Sequence, residues 1–291
     1  VSLRILLTGV TGQVGWELQR SLACLGEVRA PGRQALDLTQ PDSIRRAVRD
    51  WRPELIVNPA AHTAVDRAEA EPDLAAAINA VAPGILAEEA AKLGALLVHY
   101  STDYVFDGGK ATPYVEDDAA NPQNVYGRTK LAGEEAVRAN NPKHLILRTS
   151  WVYGRRGGNF LRTMQRLMRE RPELRIVADQ IGSPTWSRLI AEATGQMLAQ
   201  CLGPNRRPGF VPWGTYHLTC AGATSWHGFA QAIAELDRIE PAPRLIPIPS
   251  ADYPTPAKRP LNSRLSNARL AATFGLALPD WRRALELCLG E

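Results

Sequence analysis

The sequence predicts an α/β protein: a doubly wound parallel sheet with helices on both faces, joined to a smaller C-terminal lobe. Three observations predict it. Short, wholly apolar runs alternate with longer helical patterns through the first half, and a run apolar at every position is what a strand buried on both faces requires. A glycine loop stands where the first such run passes into the first helical pattern. Near residue 150 the alternation loosens and prolines become frequent. With 291 residues, 45% of them apolar, the chain is long enough to bury a large core.

In order, Arg4–Thr8 reads as the first strand and Val14–Cys24 as the first helix, its apolar residues recurring at helical spacing. Glu27–Ala30 is the second strand, followed by a helix over Ser43–Trp51 and a third strand at Leu55–Pro59. Leu74–Leu93 is rich in Ala, Leu and Glu, which favour helix, and Ala95–Thr102 is the fourth strand. A helix over Val125–Ala139 and a strand over His144–Trp151 complete this half. Beyond it come helices at Asn159–Arg171 and Arg188–Leu202 and strands near Arg175–Ala178 and Tyr216–Thr219. Prolines are dense from Pro204 to Pro260, and Pro241–Pro260 reads as loop. Residues 1–150 thus predict a dinucleotide-binding domain. Residues 151–291 predict mainly a substrate-binding lobe, with later strands free to return to the first sheet.

Composition excludes several classes. The formal charge is +4, and basic residues are interspersed with acids, so no patch for nucleic acid or membrane stands out. Cys24, Cys201, Cys220 and Cys288 are far apart and form no CxxC or Cys/His ligand pattern, which predicts reduced thiols and no metal. The first apolar run leads straight into the glycine loop instead of a signal-peptide pattern, and no stretch approaches the ~20 apolar residues of a membrane span. The expectation is a soluble, cytoplasmic protein.

The loop Thr8-Gly9-Val10-Thr11-Gly12-Gln13-Val14-Gly15 spaces its glycines three apart. Gly9 suits a tight turn, Gly12 lets backbone approach a pyrophosphate, and Gly15 lets helix and strand pack closely. The helix N-terminus, with Gln13 and Val14, then offers free N–H groups to phosphates. This is a Rossmann-type arrangement. No acid ends the second strand to bind ribose hydroxyls, whereas Arg33 stands close by and suits a 2′-phosphate; NADPH is therefore expected, with NADH left open. Asp37 and Leu38 would flank the adenine. Ala61, His62 and Thr63 follow the third strand, where a loop crosses the cofactor; His62 is not assigned to catalysis.

Tyr126 and Lys130 lie four apart at the start of a predicted helix and so share a face. A phenol with an ordinary pKa of about 10 is a poor proton carrier near neutrality, and a nearby ammonium lowers it. The fourth strand ends at Ser101-Thr102-Asp103, placing hydroxyls at the C-terminal edge of the sheet, where such folds bind ligands. There a hydroxyl from Thr102, or from Ser101, can bond a substrate carbonyl beside Tyr126. Tyr126, Lys130 and Thr102 are the candidate catalytic residues.

The glycine loop, Ser101-Thr102-Asp103-Tyr104-Val105-Phe106 and Tyr126-Gly127-Arg128-Thr129-Lys130 resemble the extended short-chain dehydrogenase/reductase family. Five further motifs resemble the branch of it that reduces nucleotide-linked keto sugars. They are Gly12-Gln13-Val14-Gly15-Trp16-Glu17-Leu18, Ala61-His62-Thr63-Ala64-Val65-Asp66 and Arg148-Thr149-Ser150-Trp151-Val152-Tyr153, with Asp179-Gln180-Ile181-Gly182-Ser183-Pro184-Thr185 and Arg259-Pro260-Leu261-Asn262-Ser263-Arg264-Leu265. The last two set the chain apart from epimerases and dehydratases of the same fold.

The resemblance implies NAD(P)H-dependent reduction of the 4-keto group of dTDP-4-dehydro-β-L-rhamnose (dTDP-4-dehydrorhamnose) to dTDP-L-rhamnose, a step of dTDP-rhamnose biosynthesis. It implies Tyr126 as proton donor, Lys130 tuning Tyr126 and holding the ribose, and Thr102 orienting the carbonyl. Thr102, Asp103 and Trp151 would contact the sugar and Arg259 the nucleotide diphosphate. Some members dimerise through magnesium held by carboxylates. Glu17 matches one such position, but Arg188 stands where a second glutamate would, which argues against the metal while leaving a homodimer open. Two other readings remain: an epimerase or dehydratase, although Tyr104 follows Asp103 where the dehydratase pattern has an acid, and a non-catalytic reductase-like regulatory subunit.

Overall fold

The computed structural model describes residues 2–203 and 208–290; Pro204, where the proline-rich stretch begins, lies outside the described residues. Five parallel strands, β1 (Leu3–Leu7), β2 (Gly26–Arg29), β3 (Leu55–Asn58), β4 (Leu96–Thr102) and β5 (His144–Thr149), form the central sheet. Gly214–His217 adds a sixth parallel strand beside β5, so the spatial order is Gly214–His217, β5, β4, β3, β1, β2. The chain beyond residue 150 thus returns to the first sheet.

Alternation of side chains across each strand builds two core layers. Ile5, Leu7, Leu55, Val57, Leu96, Val98, Leu145 and Leu147 face one side, against Leu18 and Leu22 of α1 (Gln13–Ala23) and Ile190 and Leu198 of the helix Ser187–Leu202. Leu6, Ile56, Leu97 and Ile146 face the other, against Ile44 and Val48 of α2 (Pro41–Trp51) and Ala82, Leu86 and Ala90. Helices therefore cover both faces, and β3, β4 and β5 are buried at every position.

Three local departures from the expected elements have physical causes. Arg244–Ile248, inside the stretch expected as loop, is a strand paired in parallel with Glu173–Val177. Arg244 N donates to Pro172 O and Ile248 O accepts from Ala178 N, so the even-numbered backbone groups face the partner strand. Pro247 faces away from it, where a missing N–H costs nothing. The strand expected to reach Trp151 stops at Thr149, because Trp151 takes a left-handed φ of 47°. The helix expected over Leu74–Leu93 contains a π-turn, Ala77–Val81, between α-helical segments Pro72–Ala76 and Ala82–Lys92. By length and composition Pro72–Lys92 also meets the requirement for a membrane span, contrary to the expectation that no stretch would. Its apolar residues Ala82, Leu86, Ala87 and Ala90 are instead fully buried in the core.

Candidate active site

A cleft of about 770 Å³ runs along the C-terminal ends of β1 to β5, from Arg33 to Trp226. At its base the glycine loop has the geometry the sequence suggests. Gly9 has a φ of +59°, and a Cβ there would lie 2.8 Å from the backbone of Ala60. A Cβ on Gly15 would lie 2.1 Å from Gly9 O, so α1 can pack onto the loop only with glycine at that position. Gly12 caps α1 without any side-chain hydrogen bond, and no acidic residue stands in the first turn. The first N–H groups and the positive end of the dipole are thus open to an anion. Gln13 and Val14 line the same place, and Gln13 Oε1 accepts from Asn159 Nδ2 at 2.9 Å, tying the loop to the second lobe.

Arg33, Asp37 and Leu38 line one end of the cleft. Asp37 is held in place by Thr39, whose N and Oγ1 donate to Oδ1 at 2.9 and 2.8 Å. These bonds, with Arg33 nearby, keep its carboxyl below the usual range. The Arg33 side chain is 78% exposed and only loosely paired with Asp37, 3.9 Å away. Its guanidinium therefore has donors to spare for a phosphate.

Ala61 and Thr63 line the cleft, but His62 between them does not. The Asn79 side chain takes both His62 backbone groups, accepting from N at 2.8 Å and donating to O at 3.2 Å, and the ring turns to Glu71, 3.3 Å away. Asn79 sits in the π-turn and so fixes the His62 backbone between the two cleft-lining residues.

The opposite end gathers Thr102, Asp103, Tyr126, Lys130 and Trp151. Thr102 ends β4, accepts from Tyr104 N at 3.2 Å and donates to Asp103 Oδ1 at 3.1 Å. Asn124 caps the helix Val125–Asn140 by accepting from Gly127 N. A Cβ on Gly127 would lie 2.2 Å from Tyr104 O, so the helix start is pressed against the segment after β4. That contact delivers Tyr126 to Thr102, which hydrogen-bonds it, and sets its ring edge-on to Tyr104 at 5.5 Å.

Burial pushes the Tyr126 phenol up to about 12, with Thr102 pulling down and Asp103 pushing up. Lys130 Nζ donates to Tyr100 O at 2.6 Å and lies 3.3 Å from His99 Nε2. Burial holds Lys130 down to about 8 against the pull of Glu134. Burial also raises Asp103 to about 6, opposed by hydrogen bonds from Ser263 and Thr102. Tyr126 therefore carries its proton at neutral pH, as an acid must.

Trp151 lines the cleft in a stack with Trp226, ring centres 3.5 Å apart and planes within 5°. A Cβ on Gly182 would lie 2.5 Å from the Trp151 indole, and Trp226 Nε1 donates to Gln180 Oε1 at 3.1 Å. The Gln180–Gly182 segment thus holds both indoles. Sequence reasoning missed Trp226, which has no spacing relation to the other site residues, and missed Gly157, Gly158 and Asn159, where the Gly-Gly pair was the available signal.

Arg259 does not line the cleft. Its guanidinium grips Asp66 in a two-pronged pair, Nη1 to Oδ1 at 3.0 Å and Nη2 to Oδ2 at 2.8 Å. At the outer face of α1, Glu17 pairs with Arg20 and with Arg188, whose Nε is 3.2 Å from Oε2. One carboxylate facing two guanidiniums does not fit a divalent cation, and no cluster of three or more His, Cys, Asp or Glu among the described residues offers another place.

Comparison with known proteins agrees with this geometry. A family model described as the RmlD substrate binding domain matches residues 3–291. A dTDP-4-dehydrorhamnose reductase from Burkholderia thailandensis is 51% identical, with 99% of each chain covered. One from Escherichia coli K12 is 46% identical, covering 99% of this chain and 98% of that one. The crystal structure of dTDP-4-dehydrorhamnose reductase from Bacillus anthracis in complex with NADP matches with a TM-score of 0.90 at 35% identity, covering 99% of each chain. A UDP-glucose 4-epimerase from Thermus thermophilus, 21% identical with a TM-score of 0.81 over 99% of this chain and 98% of that one, shares the fold. The chain belongs to the dTDP-4-dehydrorhamnose reductase family, built on a Rossmann-type sheet.

Proposed function

We propose that the protein uses NADPH to reduce the 4-keto group of dTDP-4-dehydro-β-L-rhamnose, giving dTDP-L-rhamnose. The observation that carries this reading is the single cleft lined by a helix N-terminus free of side-chain caps, a proton-bearing Tyr126 and Thr102. Bound NADPH supplies the hydride. Tyr126 gives its phenolic proton to the carbonyl oxygen as the C–O double bond becomes an alcohol, and Thr102 turns its hydroxyl from Asp103 to that oxygen to orient it. Lys130 has donors beyond Tyr100 O with which to hold the nicotinamide ribose. Asp103 accepts from sugar hydroxyls, and the Trp151–Trp226 stack forms an apolar wall for the ring. Residues 1–150 bind the dinucleotide and residues 151–291 mainly the sugar nucleotide, with Gly214–His217 serving the first sheet. The proposed site of action is the cytoplasm, and a homodimer without bridging magnesium is compatible with the Glu17–Arg188 pair.

The test is steady-state oxidation of NADPH on adding the keto sugar, one NADPH consumed per sugar reduced. Conversion without net oxidation would make the protein an epimerase or dehydratase, and cofactor binding without turnover would make it a regulatory subunit. Two further outcomes are expected. Arg33→Ala should raise KM for NADPH about tenfold while leaving that for NADH within about twofold, since it removes a partner of the 2′-phosphate alone. The profile of kcat/KM should fall on the acid side as Asp103 gains its proton near about 6. In Asp103→Asn that inflection should vanish; its survival would assign the limb to another group.

A further inference from the structure

Behind Lys130 a row of buried polar groups crosses three strands. Thr8 at the end of β1, Asn58 at the end of β3, His99 in β4 and Lys130 are 2%, 0%, 0% and 1% exposed. Thr8 Oγ1 donates to Asn58 Oδ1 at 2.6 Å. Asn58 Nδ2 lies 3.2 Å from His99 Nδ1, and His99 Nε2 lies 3.3 Å from Lys130 Nζ. Thr8 and Lys130 line the cleft, whereas Asn58 and His99 stand behind it; packing alone does not require the row, since leucines would fill the space without desolvating polar groups.

We propose that His99 is a positioning residue of the active site, and that Thr8 and Asn58 fix its tautomer so that it presents an N–H to the Lys130 amine. The argument is a count of protons. Burial, with Lys130 adjacent, holds His99 well below the ordinary histidine range, so its ring is neutral and has one proton to place. Thr8 occupies the oxygen of the Asn58 amide, which leaves the amide NH₂ to face His99 Nδ1. Nδ1 must then accept, and the ring proton sits on Nε2, aimed at Lys130 Nζ. A neutral amine accepts that bond through its lone pair, whereas an ammonium has none to offer. The row therefore opposes the charged form of Lys130.

Other groups bear on the same amine. Tyr100 O accepts from it on the β4 side. Glu134, one turn on in the same helix, favours the ammonium, but Arg148 of β5 binds both of its oxygens at 2.8 and 2.7 Å and offsets part of that field. Tyr126, on the same helix face, is neutral. The balance leaves Lys130 able to gain and lose a proton near working pH. On the proposed reductase reading, on which this consequence rests, such a lysine can restore to Tyr126 the proton given to the sugar oxygen.

The chain has five lysines, Lys92, Lys110, Lys130, Lys143 and Lys258, so the side-chain amines can be followed one by one. The test is NMR titration of the full chain labelled with ¹⁵N and ¹³C in lysine, the Lys130 signal assigned by its loss in Lys130→Arg. His99→Gln puts an amide oxygen within reach of Nζ. Thr8→Val frees Asn58 to turn its oxygen to Nδ1, which moves the ring proton to Nδ1 and makes Nε2 an acceptor. Each is expected to raise the Lys130 midpoint by about one pH unit. Thr8→Val keeps its shape and so carries the test if His99→Gln does not fold. An unchanged or lowered midpoint in the folded variants would overturn the proposal. The readout needs no turnover, so it stands apart from the NADPH assay, whose failure would sink the reductase reading instead.

Discussion

Replacing Tyr126 by phenylalanine is expected to cut kcat by roughly 10²–10⁴-fold, the usual worth of a positioned general acid, while the Kd for NADPH stays within about twofold. The substitution deletes one oxygen. The ring keeps its edge-on contact with Tyr104, and the helix start is set by the Asn124 cap and the Gly127–Tyr104 contact, neither of which involves the phenol. Cofactor fluorescence and single-turnover kinetics check the two halves separately. Turnover near the wild-type rate would transfer the acid role to another group; loss of both turnover and cofactor binding would mean that the phenol supports the fold instead.

Glu134→Ala is expected to destabilise the protein by about 3–5 kcal/mol, the cost of leaving a buried partner charge uncompensated. Glu134 is fully buried and Arg148 is 3% exposed. Arg148 donates through Nε and Nη2 to both carboxylate oxygens, and Arg138 adds a further contact. Removing the carboxylate strands Arg148 between β5 and the catalytic helix with only the Glu116 carbonyl to bond. At about 2–4 °C per kcal/mol for a chain of this size, thermal unfolding should fall by on the order of 10 °C. A fall of about 1 °C or less would show that water or a rearranged Glu116 takes over the guanidinium.

Much of the architecture was legible because its cause is local. A strand buried on both faces is mostly apolar, as residues 55–57 and 96–98 are, and a loop pressed against Ala60 has to carry glycine at position 9. Tyr126 and Lys130 were legible through helical spacing, and Thr102 through its place at a strand end. What escaped depends on partners distant in sequence. Arg244–Ile248 is a strand because Glu173–Val177 offers it an edge. The His62 backbone is fixed by Asn79 of a π-turn. Arg259 pairs with Asp66, 193 positions away, and Lys130 bonds Tyr100 O and lies beside His99. Each local rule was sound; the competing partner was not visible in the neighbouring residues.

The central claim is net hydride transfer to the sugar, and isotope tracing tests it most directly. NADPH deuterated at C4 of the nicotinamide, in each of its two diastereomers, is supplied with dTDP-4-dehydro-β-L-rhamnose, and the product is read by NMR. One diastereomer should place deuterium at C4 of the rhamnosyl ring, one equivalent for each NADPH oxidised, while the other leaves it on the NADP⁺ formed. Product lacking deuterium with both, or converted sugar with NADPH left unoxidised, would contradict the account.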